Sequence, residues 1–283
     1  MEIKVAERKG FCSGVLNAYK VVNKILKNNG KVYIYGDLVH NQEVINELNE
    51  KGAITIRGIK EIPKNSSNET IIIRAHGIPQ KEKELLEKSF LKVIDMTCPI
   101  VNNLVKYARE KQKEGYFVVA FGKPEHPEMI GLKGNVDENK LLITLQPQKI
   151  KQKKILIVSQ TTMEEKKFKE FFVEIINKNE FFEVLIKKTI CYETILRERE
   201  TNELSRQCSV MFVIGGERSS NTKKLYHISK QNCDKTFFIS SFEKLKEVDI
   251  HPSDKIGIVT GSSTPESELY NIIDYLTQKE ELL

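Results

Sequence analysis

The stretch Gly10-Phe11-Cys12-Ser13-Gly14-Val15 lies between a short alternating apolar run at the N-terminus and an amphipathic segment that begins near Ser13. Two later stretches have the same setting, Thr97-Cys98-Pro99 and Thr189-Ile190-Cys191. In each case one cysteine follows a strand-like run and opens a segment with helical periodicity. The chain is therefore organised around three cysteines in equivalent places.

Counting from each cysteine reveals an internal repeat. Adding 24 to each position reaches a glycine that ends a strand-like run, namely Gly36, Gly122 and Gly215. Adding 28 reaches a polar residue in the loop beyond that run, namely His40, His126 and Ser219. A second apolar run follows in each repeat and also ends in a polar loop. A repeat of about 90 residues is the size of a small domain rather than of a solenoid unit.

Strands alternate with helices in all three repeats, which is typical of α/β units with parallel sheets. The predicted fold class is therefore α/β, with three similar small domains at residues 1–97, 98–190 and 191–283. Ligands of parallel sheets bind beyond the carboxyl ends of the strands. The three cysteines and the polar loops all fall at such ends.

Composition excludes several classes of protein. With 40% hydrophobic and 30% charged residues, the 283-residue chain is typical of globular proteins. It has no apolar run near the roughly 20 residues that span a bilayer and no signal-peptide pattern, so we expect a cytoplasmic protein with no membrane partner. Five widely spaced cysteines do not form a secreted disulfide framework. The net charge of +6 is moderate and its lysines are scattered, so we expect no nucleic-acid partner.

The side chains at the predicted strand ends are rich in hydrogen-bond donors and poor in acids. They are His40, His76, His126, Glu128, Thr161, Thr162, Ser219, Ser220, Asn221 and Ser263. Such a set suits a small polyanion such as a diphosphate, since the run from Ser219 also opens a helix and helix N-termini bind phosphate. The competing interpretation is that Ser219 only caps that helix. Glu128, two residues from His126, is the natural proton donor.

The three cysteines lie 86 and 93 residues apart, which is unlike the close pairs of structural zinc sites and does not identify a metal. They could also be small buried core residues. The three-fold layout favours convergence on one iron–sulfur cluster. Since four cysteines are the usual complement, three would leave one iron of a four-iron cluster without a protein ligand. An open iron can act as a Lewis acid toward a substrate oxygen, which predicts reductive removal of a hydroxyl. Cys208 and Cys233 fall outside the repeat, and we interpret them as structural.

At these residues the chain resembles the 4-hydroxy-3-methylbut-2-enyl diphosphate reductase family of the methylerythritol phosphate route to isoprenoids. Besides the three cysteine stretches, the matching motifs are Val39-His40-Asn41, Arg74-Ala75-His76-Gly77, His126-Pro127-Glu128, Gln160-Thr161-Thr162, Ser219-Ser220-Asn221 and Ser263-Thr264-Pro265. They run in the family's order from residue 10 to residue 265. Each motif is weak alone, but the ordered set is highly specific.

The resemblance implies a cloverleaf of three α/β domains about a pseudo-three-fold axis, with a [4Fe–4S] cluster at its centre. Cys12, Cys98 and Cys191 would hold the cluster, and one iron without a protein ligand would bind the C4 hydroxyl of the substrate. Two electrons and protons would release water and give isopentenyl and dimethylallyl diphosphate. The resemblance also implies a monomer that receives electrons from ferredoxin or flavodoxin.

The resemblance further assigns roles to the loop residues. Glu128 would deliver protons, with His126 and Thr161 in the same relay. The residues assigned to substrate binding are His40, His76, His126, Thr162, Ser219, Ser220, Asn221 and Ser263.

One segment departs from the family pattern. After the third cysteine the family usually has Ala-Thr and then Arg-Gln, whereas this chain keeps Thr194 and Arg197 but has Glu193 and Glu198. An acid beside a diphosphate would repel it unless the acid turns away or is paired.

Two other functions stay open at this point. One is a zinc-dependent hydrolase that uses some of the cysteines and histidines. The other is a non-catalytic phosphate-binding protein, although neither the Gly-x-x-x-x-Gly-Lys-Ser/Thr loop nor the Gly-x-Gly-x-x-Gly fingerprint occurs.

Overall fold

Three four-stranded sheets, each entirely parallel, form the framework of the computed structural model, which describes residues 1–281. The strands are β1 (Glu2–Val5), β2 (Val32–Tyr35), β3 (Ala53–Ile56), β4 (Thr70–Ile73), β5 (Lys92–Asp95), β6 (Phe117–Phe121), β7 (Leu141–Thr144), β8 (Lys154–Ser159), β9 (Glu183–Ile186), β10 (Val210–Ile214), β11 (Lys235–Ile239) and β12 (Lys255–Thr260). The helices are α1 (Ser13–Asn29), α2 (Gln42–Glu50), α3 (Gln80–Ser89), α4 (Pro99–Lys113), α5 (Pro127–Lys133), α6 (Glu165–Lys178), α7 (Tyr192–Ser205), α8 (Ser220–Asn232), α9 (Phe242–Lys246) and α10 (Glu266–Glu281).

The central strands are continuous apolar runs, and the residues on both of their faces are buried. In β4, the side chains of Ile71, Ile72 and Ile73 are all fully buried. Such runs, rather than an alternation of apolar and polar residues, are typical of parallel sheets. The β-branched residues that fill them also favour the extended backbone.

The three sheets share one strand order. They read β3-β2-β4-β5, β7-β6-β8-β9 and β11-β10-β12-β1. The order reverses between the two middle strands of each sheet, and the crevice at such a reversal is the usual ligand site of parallel α/β sheets. The fourth strand of each sheet leads directly to a cysteine, with β5 preceding Cys98, β9 preceding Cys191 and β1 preceding Cys12.

The prediction of an α/β fold with three similar parallel-sheet units is confirmed. Counting along the sequence did not anticipate that β1 pairs with β12, with Ile3 opposite Ile256. The N-terminal strand thus completes the sheet of the third repeat. The three domain boundaries and the three-fold arrangement stay predictions, and residues 282–283 of the third predicted domain lie outside the described residues.

The described chain divides into two compact units. One contains Met1–Tyr19, Val39–Lys51 and the residues from Tyr192 onward, and its sheet is β11-β10-β12-β1. The other contains Lys20–Leu38 and Gly52–Cys191, with the other two sheets. Within residues 1–281, no helix is both long enough and apolar enough to cross a bilayer.

Helix α5 lies where the sequence indicated only a loop. It is seven residues long and begins at Pro127, since proline suits the first helical position. Two turns are too short to show a clear helical periodicity, so the pattern gave no signal there. Its presence matters because it carries Glu128.

Candidate active site

The three predicted cysteines have the same backbone anchor. Each cysteine amide donates to the carbonyl that lies two residues beyond the end of a middle strand. The pairs are Cys12 with Ser262 at 3.1 Å, Cys98 with Ala75 at 2.9 Å and Cys191 with Thr161 at 2.8 Å. Each cysteine also directly precedes a long helix, α1, α4 or α7. Each copy of the sequence repeat therefore contains the same backbone hydrogen bond at its cysteine.

The side chains of these three cysteines are partly exposed, in contrast to a core cysteine. Cys233 is buried, and its Sγ donates to the carbonyl oxygen of Ser209 at 3.3 Å, as a structural thiol would. A helix N-terminus carries partial positive charge and favours an anionic ligand set. Partly exposed thiols at three helix starts therefore fit an anionic metal cluster better than they fit core packing. Their convergence on one cluster stays a prediction.

Glu128 is a buried acid that accepts two hydrogen bonds from Thr161. Its Oε1 accepts from the Thr161 backbone N–H at 2.7 Å, and its Oε2 accepts from Thr161 Oγ1 at 2.6 Å. The residue is only 1% exposed. Burial raises the pKa of Glu128 to about 7, and the two hydrogen bonds from Thr161 oppose that rise. A carboxyl that titrates near neutrality is suited to donate a proton.

His126 lies directly beside this acid. It caps the N-terminus of α5, and its Nδ1 accepts from the backbone N–H of Glu128 at 3.2 Å. The ring proton of the neutral form is therefore on Nε2. The ring of His76 meets that of His126 edge-on, with the centroids 5.6 Å apart. The three residues predicted to be catalytic, Glu128, His126 and Thr161, thus form one contiguous group with His76 next to it.

Thr161 connects the acid to the third cysteine. Its N–H donates to Glu128, and its carbonyl oxygen accepts from the amide of Cys191. The neighbouring Gln160 joins two loops, since its Oε1 accepts from the N–H of Lys123 at 3.1 Å and its Nε2 donates to Thr162 Oγ1 at 2.8 Å. Sequence reasoning gave Gln160 no role, although it lies inside a motif that had been singled out.

A second group of predicted residues lies at the carboxyl ends of β10 and β12. Ser219 Oγ accepts from the N–H of Thr222 at 3.1 Å, so Ser219 does cap α8 and still has its hydroxyl proton to donate. Asn221 Oδ1 accepts from the N–H of Ser262 at 3.1 Å. Asn221 and Ser263 are 3% and 6% exposed. Ser220 is the first residue of α8 and is half-buried.

Two polar atoms of this group have no protein partner. Within the described residues, Asn221 Nδ2 and Ser263 Oγ are buried and make no hydrogen bond. A buried donor without an acceptor costs about 1–3 kcal/mol. Phosphate oxygens are acceptors and would satisfy both atoms. This pair therefore favours an anionic ligand at the ends of β10 and β12.

The loop that carries His40 is held by contacts that the sequence did not reveal. The His40 carbonyl oxygen packs so closely on Gly216 that a Cβ there would overlap it. Asn41 Oδ1 caps α2, and Asn41 Nδ2 donates to Glu268 Oε1 at 2.9 Å. Burial raises the pKa of Glu268 to about 7, partly offset by that hydrogen bond, and the nearby carboxylate of Glu43 raises it further. No local pattern marks Gly216 or Glu268, because both act through residues far away in the chain.

The two acids that depart from the family pattern are both paired. Glu193 accepts from Arg197 Nε at 2.8 Å and from Arg8 Nη1 at 3.0 Å. Glu198 pairs with Lys224 at 2.8 Å. Pairing was one of the two conditions under which these acids would not repel an anionic ligand.

Arg197 also holds the loop before the first cysteine. It is 3% exposed, and its guanidinium donates to the carbonyl oxygens of Thr260 at 2.8 Å and Gly10 at 2.9 Å. The Gly10 N–H in turn donates to Thr260 Oγ1 at 2.9 Å. This buried cation therefore joins the end of β12, the start of α7 and the approach to Cys12.

Comparisons with known proteins agree with this geometry. A family model described as LytB protein matches residues 3–277. The 4-hydroxy-3-methylbut-2-enyl diphosphate reductase of Petrotoga mobilis is 62% identical over 281 residues, which are 99% of each chain.

Two solved structures also match. One is the E-1-hydroxy-2-methyl-but-2-enyl-4-diphosphate reductase from Plasmodium falciparum, with a TM-score of 0.85 and 27% identity over 98% of this chain and 88% of that one. The other is an (E)-4-hydroxy-3-methyl-but-2-enyl diphosphate reductase described as the terminal enzyme of the non-mevalonate pathway. It has a TM-score of 0.72 and 34% identity over 98% of this chain and all of that one.

The raised pKa of Glu128 predicts a pH-dependent stability. Native Glu128 keeps its proton up to about pH 7, whereas the unfolded carboxyl loses it near 4.5. The free energy of unfolding of the metal-free protein should therefore fall as pH rises between these values. In Glu128→Gln, the decrease in the free energy of unfolding over this pH range should be smaller by about 3 kcal/mol, by the usual conversion of a pKa difference. Urea denaturation at pH 4.5, 6 and 7.5 measures it, and identical pH slopes for both proteins would contradict the assignment.

Proposed function

Because this chain belongs to the LytB protein family, we propose that it acts as a 4-hydroxy-3-methylbut-2-enyl diphosphate reductase, the activity named in its relatives. The reaction would remove the C4 hydroxyl of the substrate and give isopentenyl and dimethylallyl diphosphate. The observation that supports this best is the connection from Glu128 through Thr161 to Cys191. It links an acid whose pKa is about 7 to the backbone amide of a cysteine at a helix start. The relatives are reductases, rather than zinc-dependent hydrolases or non-catalytic phosphate-binding proteins.

The LytB family is iron–sulfur dependent, and Cys12, Cys98 and Cys191 would hold the cluster here. We propose a [4Fe–4S] cluster with one iron that has no protein ligand. The shared backbone anchor and partial exposure of the three thiols support this ligand set, and thiolates are the usual ligands of such clusters. When bound, the cluster would supply electrons and an open iron that acts as a Lewis acid toward the substrate hydroxyl.

Glu128 would supply the protons that the reaction consumes. Two electrons and two protons convert the substrate to product and water, with one proton taken by the departing hydroxyl and the other by the carbon skeleton. Thr161 Oγ1 lies 2.6 Å from the Glu128 carboxyl, within hydrogen-bond distance, so the Thr161 hydroxyl is positioned to relay a proton. His126, with its ring proton on Nε2, would add a donor to the same relay.

The remaining polar loop residues would bind the substrate. Asn221 Nδ2 and Ser263 Oγ would donate to the diphosphate, which their lack of protein partners supports. The start of α8 would add N–H donors and the positive end of its dipole. The full set proposed for substrate binding is His40, His76, His126, Thr162, Ser219, Ser220, Asn221 and Ser263.

Three further properties belong to the same proposal. The protein would be cytoplasmic and monomeric, and it would take electrons from ferredoxin or flavodoxin. All three are what the family resemblance implies.

Replacing the proton donor should abolish turnover without loss of the cluster. General acids contribute about 10²–10⁴-fold to rate, so Glu128→Gln should lower kcat by at least about 100-fold, with iron and sulfide content unchanged. Glu125→Gln is a matched control, because Glu125 lies in the loop just before α5 and is exposed. The measurement is anaerobic turnover of the hydroxy-diphosphate with a chemical reductant. Normal turnover by Glu128→Gln would rule out its role as proton donor.

Replacing one proposed ligand should remove the cluster. Cys191→Ser is expected to lose most of the iron, sulfide and absorbance near 400 nm of the anaerobically purified protein, because serine is a poor substitute for a thiolate. Cys208→Ser serves as the control, since Cys208 lies outside the repeat and should keep about four irons per chain. A full complement of iron in Cys191→Ser would show that Cys191 is not a ligand.

Gly216→Ala should weaken substrate binding. The new Cβ would overlap the His40 carbonyl oxygen and crowd Asn41 Cα, both backbone atoms, so the His40 loop must shift. We expect KM for the substrate to rise about tenfold, which corresponds to about 1.4 kcal/mol, with a smaller change in kcat. Gly58→Ala is the control, because a Cβ at Gly58 meets no atom within 4 Å. An unchanged KM in Gly216→Ala would exclude His40 from substrate binding.

A further inference from the structure

Two grooves flank the exposed ridge of α4, the helix that begins directly after Cys98. Each has a volume of about 420 Å³. Both are lined by Asn103, Lys106 and Glu110, which therefore form the ridge between them. The first groove also reaches the loop after β4 and helix α5, and the second reaches the segment that precedes Cys191. We call this surface, the two grooves and the ridge between them, the α4 face.

The α4 face is strongly basic. Its two acids, Asp95 and Glu110, are both paired, with Lys83 at 2.7 Å and Lys106 at 4.0 Å. Its basic residues are Lys83, Lys106, Arg109, Lys113, Lys187 and Lys188.

Most of the excess charge on this face is not neutralised within the protein. Lys188 pairs with Glu165 at 2.6 Å. Across residues 1–281, Arg109, Lys113 and Lys187 make no ion pair. Lys106, Arg109 and Lys113 recur at helical spacing along the exposed side of α4 and form a basic stripe. The face thus has a positive field that only an external anionic partner would complement.

The α4 face is also adjacent to two of the three proposed cluster ligands, Cys98 and Cys191. Thr97, which directly precedes Cys98, lines the first groove. Thr189 and Ile190, which directly precede Cys191, line the second, together with the partly exposed Ile100. Lys106 is eight residues beyond Cys98, or about 12 Å along the helix. A molecule seated on this face would lie close to both thiols.

The proposed reaction needs electrons that this chain does not carry. The sequence has no dinucleotide-binding fingerprint for a nicotinamide or flavin. Each turnover consumes two electrons, so they must come from another molecule. This step rests on the proposed reductase function.

We propose that the α4 face is the docking surface for a small acidic one-electron carrier protein. Two carrier molecules would each lose one electron per turnover, while the protons come from Glu128 and solvent and the hydroxyl leaves as water. Complementary charge raises the rate of encounter without requiring a tight complex. The modest grooves and polar ridge suit such a transient contact better than a permanent interface.

Charge reversal on the α4 face tests this proposal. The double variant Lys106→Glu/Lys113→Glu changes two exposed side chains, and Lys166→Glu/Lys169→Glu on α6 makes the same change in net charge at two exposed residues that line neither groove. Turnover is measured with two donors, reduced ferredoxin as the acidic protein and reduced methyl viologen as a small dye. We expect KM for ferredoxin to rise at least tenfold in the α4 variant and less than twofold in the α6 variant. With methyl viologen, kcat should stay unchanged in both variants.

Salt provides a second measurement. Raising ionic strength should increase KM for ferredoxin in the unaltered protein much more than in the α4 variant, because charges on this face are screened by salt. An unchanged KM for ferredoxin in the α4 variant, or an equal rise in the α6 variant, would overturn the proposal.

The failure of the proposed function would look different. If the unaltered protein did not turn over the hydroxy-diphosphate with methyl viologen, the reductase assignment would fall. Calorimetric titration of ferredoxin into the same three proteins would then still decide whether the α4 face binds it. Equal affinity in all three would reject the docking surface.

Discussion

The site depends on one backbone hydrogen bond that occurs three times. A cysteine amide donates to the carbonyl two residues beyond a middle strand, at 2.8–3.1 Å. This bond fixes where each long helix begins and holds the loop at the end of the strand. The next residue of each loop is His76, Thr162 or Ser263, so the same bond positions one substrate-binding candidate per sheet. A change in the length of any of these loops would displace a thiol and a polar side chain together.

Three glutamate side chains near the loops show two ways in which the fold controls negative charge. Glu128 is buried without a cation, and its pKa rises until the neutral form is accessible at pH 7. Glu193 and Glu198 are instead paired with Arg8, Arg197 and Lys224, whose positive charges offset theirs. Burial thus allows Glu128 to give up a proton near pH 7, whereas pairing offsets the negative charges of Glu193 and Glu198. Buried donors such as Asn221 Nδ2 are then available to an anionic ligand.

Much of the fold could be read from the sequence because its signals are local. The buried run Ile71-Ile72-Ile73 and the glycine after each first strand mark the strand ends, and these place the cysteines and polar loops. Helix α5 was missed because two turns carry too little periodicity. The contacts of Gly216 with His40 and of Glu268 with Asn41 were missed for a different reason. Each joins segments that are far apart in the chain, and such pairing is a property of the folded backbone rather than of any local pattern.

The pairing of β1 with β12 has a consequence for synthesis of the protein. Ile3 lies opposite Ile256 in the folded sheet, so β1 leaves the ribosome long before the strand with which it pairs. At translation rates of about 5–20 residues per second, that delay is roughly 13 to 50 seconds. The strands β2 to β9 have their partners much earlier. Cys12, which follows β1, therefore acquires its backbone anchor on Ser262 later than Cys98 and Cys191 acquire theirs.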